Sequence, residues 1–155
     1  RHRVILTPMV DTEQAALDTV SWLWKTLGAE VLTMTVEEHD DVLGATSHLP
    51  HVIAYSLVDT LAVDIQNPNI FRYAAGGFRD FTRIASSDPR MWHDIMKANK
   101  NSVLKSMDLF IDNLTRLRSS IEQEDGDYLL EVFSRAKRAR DEYTQLIEAA
   151  KSDKV

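Results

Sequence analysis

The sequence predicts a mainly α-helical fold that is preceded by a short strand–helix–strand unit. Two β-branched, apolar runs near the start, RVILTP and AEVLTMT, have the composition of strands. From Thr35 onward, apolar residues recur instead at intervals of three and four, which is the spacing of amphipathic helices. An apolar fraction of 44% over 155 residues is enough for one folded domain, or for one domain and part of another.

The segment between the two predicted strands has the pattern of a helix. It is expected to begin with Asp11 or Thr12 as its N-cap and to end at Gly28, in the usual C′ position of glycine. Its apolar face comprises Ala16, Val20, Leu23 and Leu27. Since two parallel strands do not form a covered sheet by themselves, we expect their neighbours to precede Arg1, where the sequence starts without methionine.

A longer helix is predicted to start at the capping box TVEE, which pairs Thr35 with Glu38, and to reach about Asp64. Pro50 lies within it and lacks an amide hydrogen, so a bend is expected there. Shorter helical pieces follow, separated by QNPN and by Gly76-Gly77. They are Ile70 to Ala75, the segment FRDFTRIASS, and DPRMWHDIMKAN with Asp88 as its cap and Pro89 in its first turn.

The last third predicts two long helices, joined by the turn EQEDGD and packed as an antiparallel hairpin. Their apolar series are Val103, Met107, Phe110, Leu114, Leu117 and Ile121, and then Leu129, Val132, Ala136, Ala139, Tyr143, Leu146 and Ala150. Small residues in the second series permit close approach of a neighbouring helix. The pattern favours equally a seam within the chain and a contact with a second copy.

Charge and composition exclude several classes of partner. A net charge of −6, spread along the chain, provides no basic surface for nucleic acid or an anionic membrane. No apolar run approaches the ~20 residues of a membrane span. The lack of cysteine excludes disulfides and thiolate metal sites and is typical of a reducing compartment, which predicts a cytoplasmic protein.

Gly44, His48, His51 and Tyr55 form one stripe of the predicted helix, because they follow at steps of four, three and four. Two imidazoles in such a stripe suit the wall of a site, where they would hydrogen-bond an anion or position a water. The alternative is a solvated helix face with two ordinary histidines, and the spacing by itself favours that alternative.

A metal site is not predicted. His39 lies nine residues before His48, on the opposite side of a straight helix, and the sequence has no His-Glu-x-x-His pattern. The acidic run EEHDD is more typical of the first turn of a helix. His39 beside Asp40 nevertheless has the arrangement of an oriented imidazole.

Arginine supplies the candidate anion ligands. Arg79 and Arg83 stand one helical turn apart in GGFRDFTRIA, and a guanidinium binds a carboxylate through two parallel hydrogen bonds. A surface ion pair between Asp80 and Arg83, worth under about 1 kcal/mol, is the simpler interpretation. The sequence contains no glycine-rich phosphate loop.

Two longer motifs, EEHDDVLGATSHLPHVIAYSL and GGFRDFTRIASSDPRMWHDI, resemble the C-terminal part of the prephenate and arogenate (cyclohexadienyl) dehydrogenase family. The resemblance extends from Ile5 to about Leu117. It implies that residues 1–35 are the end of a Rossmann-like nucleotide-binding domain. Residues 36–155 are then an all-helical substrate-binding and dimerisation domain.

The resemblance also implies a reaction. Members of the family use NAD or NADP to oxidise prephenate or arogenate in tyrosine biosynthesis, and the ring carboxylate leaves as carbon dioxide. Their catalytic histidine and cofactor fingerprint belong to the nucleotide-binding half. This chain is therefore expected to contain no catalytic residue and to be inactive alone. Its implied partners are prephenate or arogenate, tyrosine as an inhibitor, and a second copy of the chain in a homodimer.

By the same resemblance, several residues are candidates for the substrate-binding wall. Arg83 is expected to bind a substrate carboxylate, and His48 and His51 to line the same pocket. His39 and Asp40 resemble the pair that fixes the geometry where the two domains meet.

Trp92 resembles an aromatic residue that reaches toward the site of a neighbouring subunit. A core position beside Ile95 and Met96 agrees with the sequence at least as well. The alternative to the enzymatic interpretation is a non-catalytic helical oligomerisation module, in which the histidine stripe is incidental.

Overall fold

The computed structural model describes residues 2–64 and 69–152, with side chains of the last helix described to residue 149. Most of the predicted break QNPN falls outside the described residues. The strands and α-helices are β1 (Arg3–Leu6), α1 (Gln14–Thr26), β2 (Glu30–Thr33), α2 (Val36–Leu43), α3 (Leu49–Ala62), α4 (Gly76–Thr82), α5 (Pro89–Ala98), α6 (Lys100–Glu122) and α7 (Gly126–Ser152). The mainly α-helical prediction is confirmed.

The predicted strand–helix–strand unit is present. β1 and β2 pair in parallel, from Arg3 opposite Glu30 to Leu6 opposite Thr33, and α1 connects them. Gly28 has a φ of +86°, the left-handed conformation expected after a helix. The predicted apolar face is exposed at Val20, Leu23 and the C-cap Leu27, and so are Trp22 and Trp24 of α1.

The predicted N-cap of α1 is wrong. The cap is Glu13, and its side chain makes no capping hydrogen bond. Thr12 belongs instead to the preceding turn, where its Oγ1 accepts a hydrogen bond from the Met9 amide at 2.8 Å. Its hydroxyl is therefore used before the helix begins.

The helix that starts at Thr35 has the predicted capping box but a different interior. The Thr35 hydroxyl accepts from the Glu38 amide at 3.1 Å, and the Glu38 carboxylate accepts from the Thr35 amide at 2.8 Å. Instead of continuing unbroken to Asp64, the α-helix widens into a π-helical turn at Gly44–His48 before α3 begins.

This π-helical turn corrects the expected bend at Pro50. The Leu49 amide donates to the carbonyl of Gly44, five residues back, so the change in helical geometry precedes the proline. Pro50 then lies in the first turn of α3, where a missing amide hydrogen costs little. Gly44 permits close packing on α6, because a Cβ there would lie 3.0 Å from the Cβ of Ser102.

α3 packs against α4 and against the short 3-10 turn Arg83–Ser86 that follows α4. The Tyr55 hydroxyl ties it to the next connection by donating to the carbonyl of Ser87 at 2.7 Å. Gly76 and Gly77 begin α4 rather than interrupting the helical pattern. The predicted cap of α5 is confirmed, since the Asp88 carboxylate accepts from the Met91 amide at 2.9 Å.

The chain divides into two compact units, and the division falls between Met107 and Asp108. In the second unit, a turn with Glu124 at a φ of 56° joins α6 to α7. The two helices together line a cavity of about 240 Å³ that includes Leu117, Val132 and Ala136. The predicted helical hairpin is therefore confirmed.

Candidate functional site

The core of the first unit is formed where the histidine stripe, which runs from the π-helical turn into α3, meets α5. The His51 ring stacks on Trp92 with centroids 3.6 Å apart and planes 22° apart. The His48 ring meets the same indole edge-on, at 6.0 Å and 75°. His48 is only 9% exposed, so the interpretation of this stripe as a solvated helix face is wrong.

Trp92 is a buried residue of this core, with 8% of its surface exposed. Its Nε1 is enclosed and has no hydrogen-bond partner within the described part of the chain. The ring also lines an apolar pocket of about 280 Å³ together with Tyr55 and Met96. The role expected of Trp92 at a neighbouring subunit's site stays a prediction.

Asn99 is a site residue that the sequence did not reveal. It lies between α5 and α6, and its Nδ2 donates to the carbonyl of Asp40 at 2.8 Å and approaches Nδ1 of His48 at 3.2 Å. These contacts join positions 59 and 51 residues apart. An asparagine between two helices has the pattern of an ordinary cap, so no sequence signal distinguished it.

His51 has a second anchor besides the indole ring. Its Nδ1 lies 2.8 Å from the carbonyl oxygen of Ser47, four residues earlier and within the π-helical turn. The imidazole is thus held by a hydrogen bond at its edge and by Trp92 at its face.

Burial favours the neutral form of His48. Loss of hydration lowers the pKa of this imidazole below its ordinary value of 6.5. The carboxylate of Asp40 opposes that shift, while the rings of His39 and His51 add to it. At neutral pH, His48 is therefore an uncharged hydrogen-bonding group rather than a cation.

The predicted pair of His39 and Asp40 is formed. The Nδ1 of His39 lies 3.0 Å from the Asp40 carboxylate, and both side chains are partly buried. Because the Asp40 carbonyl also accepts from Asn99, the pair is linked through α2 to the histidine stripe. An open cleft of about 760 Å³ beside it is lined by Asp40, Asp41, Asn99 and Lys105, among others.

Arg83 is exposed, and its guanidinium has no hydrogen bond or ion pair within residues 2–64 and 69–152. The expected surface pair with Asp80 is wrong, because Asp80 accepts from Nε of Arg79 at 3.2 Å. Arg83 begins the 3-10 turn that packs on α3, which contains His51 and directly follows His48.

Neither a metal-ligand cluster nor a membrane-spanning helix is present in the part of the chain that the structure describes. Among the described residues, no three histidine, cysteine, aspartate or glutamate side chains come together as metal ligands would. No helix in the same ranges has both the length and the apolar character needed to cross a membrane.

Comparisons with known proteins agree on one family. The family described as "Prephenate dehydrogenase, dimerization domain" matches residues 35–135. The cyclohexadienyl dehydrogenase of Zymomonas mobilis is 45% identical over 141 residues, which is 90% of this chain and 48% of that protein. The prephenate dehydrogenase of Bacillus subtilis is 44% identical over 138 residues, 88% of this chain and 37% of that protein.

The fold of this chain is also similar to that of a solved structure of the same family. The prephenate dehydrogenase from A. aeolicus, in complex with hydroxyphenyl propionate and NAD+, has a TM-score of 0.84 at 42% identity. The match covers 90% of this chain and 49% of that one. The chain thus spans half or less of the length of these relatives.

Proposed function

Because this chain belongs to the prephenate dehydrogenase family and contains its dimerization domain, we propose that it is the substrate-binding and dimer-forming part of a prephenate or arogenate dehydrogenase. In this proposal, residues 36–155 form that part and residues 1–35 end a nucleotide-binding domain. The enzyme oxidatively decarboxylates its substrate with NAD or NADP, in the cytoplasm.

The observation that carries the proposal is the unpaired Arg83 side chain on a turn packed against α3, which contains His51 and directly follows His48. A guanidinium keeps its charge at any physiological pH and suits a carboxylate. Because burial disfavours the charged form of His48, we assign the positive charge of the site to Arg83. An acidic chain with a net charge of −6 needs such a local cation to bind a dianion.

The two imidazoles have the complementary role of orienting the substrate. Both rings are fixed by Trp92 and by hydrogen bonds at Nδ1, so their position is set before a ligand arrives. His39 and Asp40 are proposed to fix the geometry where the nucleotide-binding half meets α2.

The sequence of this chain contains no glycine-rich phosphate loop of the kind that binds a dinucleotide. We therefore assign nicotinamide binding mainly to the part of the relatives that this chain does not match. The chain by itself is proposed to be inactive, with no catalytic residue of its own.

The helical hairpin supports the proposed homodimer. Its two helices expose large apolar side chains: Leu109, Ile111, Leu114, Ile121, Leu130, Phe133, Tyr143, Leu146 and Ile147. Apolar surface of this extent is typical of an interface between subunits. Sedimentation equilibrium of the chain is expected to give a dimer, with or without tyrosine, and a monomer up to high concentration would contradict the proposal.

The substrate role is tested by Arg83→Ala in a complete enzyme that contains this chain. We expect kcat/KM with prephenate or arogenate to fall at least tenfold, roughly the loss of one charge-assisted contact, while Arg83→Lys loses less. Arg79→Ala is the matched control, because Arg79 is also exposed but already paired with Asp80. If Arg83→Ala stays within about twofold, the carboxylate role is wrong and the non-catalytic module is favoured.

A further inference from the structure

The Nδ1 atoms of His48 and His51 have partners of opposite character. For His51 the partner is the carbonyl oxygen of Ser47, at 2.8 Å, and a carbonyl can only accept a hydrogen bond. The proton of this imidazole must therefore lie on Nδ1. Its Nε2 is then a bare acceptor when the ring is neutral.

For His48 the deduction passes through Asn99. The Asn99 amide faces the Asp40 carbonyl at 2.8 Å, and only its NH2 group can donate there, which fixes the orientation of the amide. The same NH2 group lies 3.2 Å from Nδ1 of His48, so Nδ1 must accept. The proton of the neutral His48 ring is therefore on Nε2, which becomes a donor.

The backbone holds Asn99 in place for this task. The backbone N–H of Asn99 donates to the carbonyl of Ile95 at 2.9 Å, and its backbone carbonyl accepts from the Val103 amide at 3.1 Å. Asn99 is thus the single residue between the end of α5 and the start of α6. Only 8% of its surface is exposed. Its side chain has little freedom to turn away from Asp40 and His48.

We propose that Asn99 is a positioning residue that holds His48 in its Nε2–H tautomer, so that the stripe offers a hydrogen-bond donor at His48 beside an acceptor at His51. Neither Nε2 has a hydrogen-bond partner in the described residues, and neither is enclosed as Trp92 Nε1 is. The complementary ligand carries one oxygen that accepts and one that donates, such as a carboxylate and a hydroxyl. The preference for such a ligand rests on the proposed substrate site, whereas the tautomer of His48 follows from its hydrogen bonds alone.

The tautomers are read directly from the ligand-free chain labelled with ¹⁵N-histidine. At pH 8, above the ordinary histidine pKa of about 6.5, two-bond ¹H–¹⁵N spectra show which ring nitrogen carries the proton. We expect Nε2–H for His48 and Nδ1–H for His51, with each ring assigned from its glutamine variant. A wild-type His48 protonated on Nδ1 overturns the proposal.

The role of Asn99 is tested by Asn99→Leu, which keeps the volume but removes the donor. His48 is expected to lose its exclusive Nε2–H pattern, while Asn101→Leu, an exposed neighbour in the same segment, leaves it unchanged. An unchanged pattern in Asn99→Leu overturns the proposal. If that variant does not fold, a through-hydrogen-bond coupling between Asn99 Nδ2 and His48 Nδ1 in the unaltered chain decides, and its absence overturns the proposal.

The ligand experiment separates this inference from the proposed function. Calorimetric titration with hydroxyphenylpropionate is expected to show about tenfold weaker binding to Asn99→Leu than to Asn101→Leu. No binding to the unaltered chain argues against the proposed substrate site but leaves the tautomer result standing. Equal binding to both variants, with the tautomer changed, overturns the donor role of His48.

Discussion

The histidine core of the first unit and the helical hairpin of the second are stabilised by contacts of different range. In the core, Asn99 reaches partners 59 and 51 residues away, and Tyr55 reaches 32 residues to Ser87. In the hairpin, the ion pairs join residues four apart on one helix: Arg118 with Glu122, Arg135 with Glu131, and Lys137 with Asp141. The core therefore depends on tertiary packing, whereas each hairpin helix is supported locally.

The two regions also differ in what they leave exposed. The core encloses an indole and an imidazole, whereas the hairpin exposes a series of large apolar side chains. A rigid, enclosed site keeps its polar groups in fixed positions, and an exposed apolar face is suited to a second subunit. Substitutions should therefore affect folding in the first region and association in the second.

The largest expected difference follows from removing an aromatic ring in each region. Trp92→Ala leaves a cavity beside both imidazoles and should lower the free energy of unfolding by about 3–5 kcal/mol. Phe133→Ala, where the side chain is 58% exposed, should cost much less and instead weaken self-association. Urea unfolding measures the loss of stability, and sedimentation measures the loss of self-association. Equal losses of stability in the two variants would contradict the expected difference between core and hairpin.

A smaller difference is expected from adding one methyl group at a glycine. Gly44→Ala places a Cβ 3.0 Å from the Ser102 side chain and 3.2 Å from its backbone, which should cost about 1–3 kcal/mol. Gly126→Ala meets no atom within 4 Å at the start of α7 and should be neutral or stabilising by up to about 1 kcal/mol. Thermal unfolding of both variants checks the order, and a harmless Gly44→Ala would contradict the close packing.

Helix caps should show no difference between the regions, because capping is local. The carboxylates of Asp88 and Asp125 accept from the amides of Met91 and Tyr128, at 2.9 and 3.1 Å. Asp88→Ala and Asp125→Ala should each cost about 1 kcal/mol by chemical unfolding. A cost confined to Asp88 would mean that its effect comes from tertiary contacts near Trp92.

The smallest expected effect is a pH dependence confined to the core. Because burial lowers the pKa of folded His48, the stability that it contributes is complete above pH 6.5, its ordinary pKa. That stability is lost as the pH falls from 6.5 through the folded pKa, since the unfolded state binds the proton more readily. Between pH 8 and pH 5, the free energy of unfolding should fall less steeply for His48→Gln than for the unaltered chain. An equal fall in both would show that His48 is not the source of the pH dependence.

The tertiary structure changed several expectations that rested on neighbouring residues. Spacing makes Arg83 the candidate partner of Asp80, but Asp80 accepts from Arg79 instead, and Arg83 begins a 3-10 turn that packs on α3. Pro50 predicts a bend at its own position, yet the helix widens one turn earlier, where Gly44 meets Ser102. In both cases the outcome depended on packing partners far away in sequence.

The sequence by itself determined the features that neighbouring residues control. The capping box at Thr35, the cap at Asp88, the left-handed Gly28 and the two long helices all follow from contacts within a few residues. The motifs around the two histidines and around Arg83 also identify the family of the chain.

Only the tertiary structure decided how the candidate site is assembled. Trp92 between two imidazoles, Asn99 bridging α2 and His48, and the unpaired state of Arg83 each depend on segments that meet in space but not in sequence. The physical reason is that a hydrogen bond or ring contact requires a defined distance and direction. Residue spacing fixes these within a helix but leaves them undetermined between helices.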